Sequence, residues 1–305
     1  MNGLIESLLA APRIGEILSL VSAFVWALSV VLFRIVGDKI HPLGMNFFKN
    51  TLALVLFAAT LTVAGGSFLP PLPWTRSALF FLSGILGIAL SDWLFFTALV
   101  KLGAELTAIV DCAYSPFVIG LSFLFLGERM NALQTAGVAL IVAAVLMITL
   151  KKADARLSRR ELLGGVAVGV LSMLLTAAGI VLVKPYLREV SLLWAGFARM
   201  AGGAFASVFL LAAHPRRREI IAPLKSGAKR GLLVIASVLS SYLSVLIWMA
   251  GMAYTQASIA ASLNQLNTIF IFLLAAVILK EKITPLKLAA VALAFGGALL
   301  VSVPM

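Results

Sequence analysis

The sequence predicts an all-α polytopic membrane protein of ten transmembrane helices, arranged as two inverted five-helix repeats. Three observations carry this reading. The 305 residues are 62% hydrophobic and only 12% charged, with a mean hydropathy of +1.10, whereas soluble domains carry about a quarter charged residues. The apolar residues form ten long runs, 16–36, 43–64, 77–100, 104–126, 131–150, 162–184, 191–213, 231–254, 256–279 and 285–303, and a bilayer core needs roughly 20 apolar residues per helix. The polar residues inside those runs repeat in register.

The repeat is clearest in the stretch 104–150, which returns at 257–303. An offset of 153 pairs Asp111 with Asn264, Tyr114 with Asn267, Ser115 with Thr268, Glu128 with Glu281 and Arg129 with Lys282. Over the first two spans the offset is 150: Arg34 meets Lys184, and Lys49 meets Arg199. Apolar matches between lipid-facing helices arise by chance; polar matches in one register do not. The organisation is therefore an amino-terminal lead-in at 1–15, a first repeat at 16–150, a basic linker at 151–161 and a second repeat at 162–303. Each repeat has an odd number of spans, so the second enters the membrane upside down. That plan is common among secondary transporters, whose substrate site lies near the midplane between the repeats.

The connections follow the same logic. Segment 1–15 has no basic start or cleavage signature and reads as a retained lead-in. Pro70, Pro71 and Pro73 interrupt the chain before span three. Lysine and arginine gather after spans one, three, five, seven and nine, above all at 151–161 and 214–230. The positive-inside rule then puts those loops in the cytoplasm and both termini outside. A net charge of +12 placed in such loops fits anionic lipid headgroups and not nucleic acid. Cys112, the single cysteine, excludes a disulfide within the chain.

The candidate site residues are the polar groups at membrane depth, where a charge is costly unless it meets water, a partner or a ligand. Lys49 and Arg199 lie some 10 Å below the interface at a rise of about 1.5 Å per residue, and as a symmetric pair they suit an anionic substrate group. The alternative is structural, with each base snorkelling or bonding a carboxylate. Asp111 and Asp92 are the deepest acids and the proton-coupling candidates; the alternative pairs each with a buried base. Thr107, Asp111, Tyr114 and Ser115 share one helical face, and Asn264, Asn267 and Thr268 form its equivalent. Span eight carries Ser237, Ser241, Ser244 and Trp248 on one stripe, facing either a cavity or a packed helix. Trp26, Trp93 and Trp248 are candidates to line an apolar pocket, while Trp74 and Trp194 read as interface anchors. Pro116 removes a backbone hydrogen bond just after Asp111 and predicts a bend there. Gly165 and Gly169 fit small-residue helix packing. Glu128-Arg129 and Glu281-Lys282 read as helix-end structure. No H-E-x-x-H, C-x-x-C, phosphate-loop or G-x-S-x-G pattern occurs, and His41 and His214 read as solvated turn residues. No enzyme, metal or cofactor chemistry is indicated.

On these residues the chain resembles the EamA-type transporters of the drug/metabolite transporter superfamily. Trp26 in span one, the span-two bases Lys49 and Arg199, the joints LGERM and LKEKI, and Gly137 carry the resemblance. It implies ten helices in two inverted repeats and a secondary carrier, often an exporter of amino acids or other small metabolites. The family usually has Arg where this chain has Lys49, and span six has Thr176 where span one has Trp26. The resemblance also implies cytoplasmic termini, opposite to the charge count. The expected protein is a multi-pass carrier, monomeric or homodimeric, in the cell membrane, or in the inner membrane of a Gram-negative source. It exports an amino acid or organic acid by alternating access, with Lys49, Asp111, Tyr114, Arg199, Asn264, Asn267, Trp26 and Trp248 at the substrate. The alternatives are a membrane-embedded receptor or lipid- or headgroup-handling protein, and a passive channel.

Overall fold

The computed structural model describes residues 13–126, 131–150, 157–187, 189–227, 229–254, 263–264 and 266–301. Every regular element among them is helical. In chain order they are α1 (Ile14–Gly37), α2 (Pro42–Val63), α3 (Trp74–Leu102), α4 (Ala104–Phe125), α5 (Ala132–Leu150), α6 (Arg159–Tyr186), α7 (Leu192–Ala213), α8 (Arg217–Ser226), α9 (Arg230–Gly251), α10 (Asn267–Ile278) and α11 (Pro285–Val301). Seven of these, α1 to α4, α6, α7 and α9, are long and apolar enough to cross a bilayer, and α5, α10 and α11 are shorter apolar helices. The joint Glu128-Arg129 lies outside the described residues.

Local chemistry sets the helix ends. The His41 imidazole accepts from the Leu43 N–H at 3.2 Å and Pro42 opens α2 at a position where no N–H is needed. Ser158 and Glu161 cap α6 reciprocally. The basic connection 214–230 was read as a loop; it contains the short helix α8, whose Ile220 packs on Leu43 and Leu211. One apolar face is enough to hold such a helix against the bundle. His41 and His214 are not free turn residues. Their rings stand 5.7 Å apart, and the His214 Nδ1 accepts from the Arg216 N–H.

Packing repeats when the two halves are exchanged. α1 packs on α9 as α6 packs on α3, α1 on α10 as α6 on α4, and α2–α7 and α5–α11 pair across the halves. Two serine clasps make the correspondence atomic. Ser22 donates to the Ser244 carbonyl at 3.0 Å and Ser244 returns the bond at 3.3 Å; Ser91 and Ser172 exchange bonds of 3.0 and 2.8 Å. Ser22 and Ser172 are 150 residues apart, and Ser91 and Ser244 are 153 apart. The π-helical segments Ile85–Leu90 in α3 and Val238–Ser244 in α9 begin at that same offset of 153. Ser244 of the α9 stripe thus serves packing against α1, while Ser237 bonds the Leu233 carbonyl and Ser241 bonds Ser240 within their own helix. Gly165 and Gly169 likewise seat Leu102, and Val110 with Ala98.

Burial and the neighbouring His214 and Arg216 hold the His41 imidazole below its usual 6.5. The unfolded chain therefore binds this proton more readily than the folded one, and stability falls as pH drops from 6.5 toward the lowered folded value. Thermal unfolding of His41→Gln, which keeps an acceptor for the cap, is expected to lose that portion of the acid destabilisation.

Candidate functional site

Arg199 is the best-defined member of the site because its backbone cannot move. A Cβ on Gly84 would overlap the Arg199 carbonyl, and one on Gly202 would overlap the Phe81 carbonyl. Only glycine lets α3 and α7 approach so closely. This contact places the guanidinium over the π segment of α3, with Nη2 3.7 Å from where a Gly87 Cβ would stand. The π segment widens α3 at that level, and such bulges recur at functional sites. The carbonyl of Ala89 within it accepts from Asn46 at 2.6 Å. Asn46 accepts from Asn50, which also donates to Ser207 of α7 at 2.9 Å.

Lys49 and Arg199, equivalent by sequence, are treated differently. Lys49 is 2% exposed; its Nζ donates to Asp92 Oδ2 and to Asn50 Oδ1, both at 2.7 Å. The structural alternative for Lys49 and Asp92 is therefore realised: they are an ion pair. Arg199 feels the charge of Asp92 and the Tyr114 hydroxyl, yet forms no hydrogen bond or ion pair among the described residues, and its Nε is buried without a partner. The register explains the difference. The residue 153 positions after Asp92 is Val245, so the second half lacks the acid.

Asp111 ends the first helical segment of α4, Ala104–Asp111, and helix resumes at Tyr114. Pro116 has no N–H to offer the Cys112 carbonyl, which accounts for the predicted break. Asp111 Oδ2 lies 3.5 Å from the Asn267 amide, Asn267 accepts from Thr268, and Cys112 meets Thr268 at 3.3 Å. Tyr114 interacts electrostatically with both Asp111 and Arg199. The structure thus forms two side-chain contacts between helices here, Lys49–Asp92 across α2 and α3 and Asp111–Asn267 across α4 and α10. Asp111, Tyr114 and Arg199 are half-buried.

The remaining candidates sit elsewhere. Asn264 is half-buried and shares no hydrogen bond with the cluster among the described residues. Trp26 tilts against Phe95 at 6.1 Å, and Trp248 is half-buried on α9. Trp93 packs beside Leu43, Leu211 and Ile220, so it does not join Trp26 in a common pocket. Trp194 is 4% exposed, and its indole donates to the Phe68 carbonyl. It is a packing residue and not an interface anchor; a bulky ring within reach of a carbonyl is held inside. Trp74, 80% exposed, keeps the position expected of an anchor. Sequence reasoning missed Asn46, Asn50 and Ser207, although two amides four residues apart in an apolar span were a visible signal.

A bundle of helices long and apolar enough to cross a bilayer, with polar groups set among them, defines a multi-pass membrane protein. The chain matches the EamA-like transporter family over residues 13–150 and 163–303 and belongs to that family of the drug/metabolite transporter superfamily. It is thus a transmembrane transporter whose partners are the lipid bilayer and a small-molecule substrate. A solved structure titled only as the crystal structure of a protein superposes with a TM-score of 0.65, over 94% of this chain and 95% of that chain, at 18% identity, and shares the fold. The search of curated proteins found no match.

Removing one member of the Lys49–Asp92 pair leaves the other uncompensated. Lys49→Met or Asp92→Leu alone is expected to lower stability by about 3–5 kcal/mol, while the double substitution returns most of it. Thermal unfolding in detergent reads both.

Proposed function

We propose that the chain is a secondary active carrier, an exporter, of a small anionic or zwitterionic metabolite such as an amino acid or organic acid. One observation carries the reading: the Arg199 guanidinium forms no hydrogen bond or ion pair among the described residues, and its Nε is buried without a partner. A charge at membrane depth is stable when something pairs with it, and a substrate carboxylate fits a planar guanidinium that can bond it at two points. Asp111 and Asn267, across Tyr114 from Arg199, suit a substrate ammonium or hydroxyl. Lys49 acts with Asp92 as the fixed half of the site, and Trp26 and Trp248 bound its apolar margins. The repeats, 16–150 and 162–303 with the lead-in 1–15 and linker 151–161 outside them, sit as inverted five-helix units in the cell membrane. The mirrored packing of ten apolar helices supports that arrangement. Rocking one unit against the other exposes the crevice to each face in turn, and Asp111 or Asp92 is the proton-coupling group. The carrier works as a monomer or homodimer.

The test is flux in reconstituted vesicles. Arg199→Ala is expected to lower saturable amino-acid or organic-acid exchange about tenfold or more, the loss of about 1.5–3 kcal/mol of charged hydrogen bonding, with Arg199→Lys intermediate. Asp111→Asn is expected to lower exchange and its response to an imposed pH gradient. Unchanged flux in Arg199→Ala overturns the reading, and non-saturating flux without counter-transport assigns a channel instead.

A further inference from the structure

The chain has two histidines, and the fold brings them together. His41 is the N-cap of α2 and His214 the C-cap of α7, and their ring centres stand 5.7 Å apart. Each precedes a proline, and each ring turns back on its own backbone. His41 Nδ1 accepts from the Leu43 N–H and His214 Nδ1 from the Arg216 N–H, both at 3.2 Å. A neutral imidazole has one N–H and one free lone pair on its two nitrogens. The backbone takes the lone pair of Nδ1, so the hydrogen sits on Nε2. Neither Nε2 has a partner among the described residues, and both rings keep accessible surface, His41 being exposed and His214 half-buried.

We propose that His41 and His214 form a phosphate-binding site, in which both Nε2–H groups donate to the oxygens of one phosphate, whether carried by a lipid headgroup or free in solution. The hydrogen-bond pattern decides between an anion and a metal. A metal ion needs a ring lone pair, and each ring has given its only free one to the backbone. What remains is a pair of N–H donors, which suit oxygen acceptors and keep that character at any charge state. With ring centres at this separation the two Nε2 atoms lie within about 8 Å of one another in any orientation, a gap that one phosphate bridges with hydrogen bonds of about 2.8 Å. Helix α8 adds positive potential, since it starts at Arg217, three residues after His214. Gly44 in the first turn of α2 seats it there: a Cβ on Gly44 would stand 3.3 Å from the Ile220 carbonyl.

The charges near the pair favour an anion. Asp38 is paired with Arg34 at 2.6 Å. Arg217 donates to the Ala212 carbonyl at 2.8 Å and Lys229 to the Ile35 carbonyl, so both are committed to helix ends. Lys39, Arg216 and Arg218 are exposed, with no side-chain hydrogen bond or ion pair among the described residues. Against them stands one acid, Glu219, in the first turn of α8. His214 and Arg216 both press the His41 ring toward its neutral form, a repulsion that a bound anion relieves. The site belongs to one membrane face only. The internal offset of 150 puts Ser191 in register with His41 and Ala64 with His214, and these are the N-cap of α7 and the C-cap of α2. The mirrored corner therefore has no imidazole. The proposal concerns a helix-end surface and does not rest on the carrier reading.

Because only two histidines are present, nitrogen NMR reads the site directly. The full chain, tag-free and carrying ¹⁵N-histidine, is placed in phosphatidylcholine nanodiscs at about pH 8, where imidazole is neutral. Both rings are expected to show the Nε2–H tautomer. Inorganic phosphate, titrated against chloride at equal ionic strength, is expected to move both Nε2 signals along one saturating curve. A second set of discs contains phosphatidylglycerol in place of part of the phosphatidylcholine. Signals already moved in those discs, and no longer responsive to added phosphate, assign the occupant as a lipid headgroup; a response to inorganic phosphate alone assigns it as free phosphate. His214→Phe keeps a ring at the position and removes one donor, and it is expected to weaken binding about tenfold or more. The unmodified chain suffices if that variant does not fold. An Nδ1–H tautomer in either ring, a shift confined to one ring, or no response to either source of phosphate overturns the proposal, as does unchanged affinity in folded His214→Phe.

Discussion

The cost of leaving a charge unpaired in hydrocarbon organises this molecule. Two deep cations are each neutralised by a neighbouring carboxylate. Lys49 meets Asp92 and Asn50, and Glu105 meets Lys287. Those pairs hold α2 to α3 and α4 to α11 in a medium where neither partner can turn to water. Arg199 is the exception, and close glycine contacts pin its backbone between α3 and α7. A cation held in place without its own acid is the group on which the proposed substrate contact rests.

Duplication supplies the frame, and its failures supply the function. Where the two halves agree, the agreement is structural: paired serine clasps, π segments in register and mirrored helix contacts. The clasps satisfy hydroxyls that would otherwise be stranded in an apolar core, and they lock spans one and six to their partners. Where the halves differ, chemistry appears. Asp92 faces Lys49, whereas the residue in register with Asp92 in the second half is Val245. Glu105 pairs with Lys287, whereas the residues in register with them by sequence are Ser258 and Gln134. A symmetric scaffold with asymmetric charge can present different affinities to its two ends without a different fold.

The polar network around α2 shows how such a site is kept rigid. Asn46 satisfies a carbonyl of the π segment, Asn50 bridges to Ser207 on α7, and both steady the lysine between them. The π segment gives α3 the width to pass beneath Arg199, and the same irregularity frees the carbonyl that Asn46 answers. Backbone irregularity at membrane depth is tolerated where protein or an enclosed space receives the freed groups.

The sequence alone determined the class, an all-helical membrane protein, and its duplication. Apolar run length and in-register polar matches are one-dimensional signals, and each reflects the bilayer directly. The break after Asp111 was also legible, since Pro116 removes one backbone bond whatever surrounds it. Tertiary structure decided the pairing. Lys49 and Arg199 read as equals along the chain, yet among the described residues Lys49 forms an ion pair and Arg199 forms none. Trp194 read as an anchor by its place near a span end, and the Phe68 carbonyl drew it inside. Glu105, Lys287 and Glu281 lie more than 170 residues apart in two groups, and no local pattern reports such a meeting. Pairing in a low-dielectric interior depends on a few ångströms of separation, and only packing sets those.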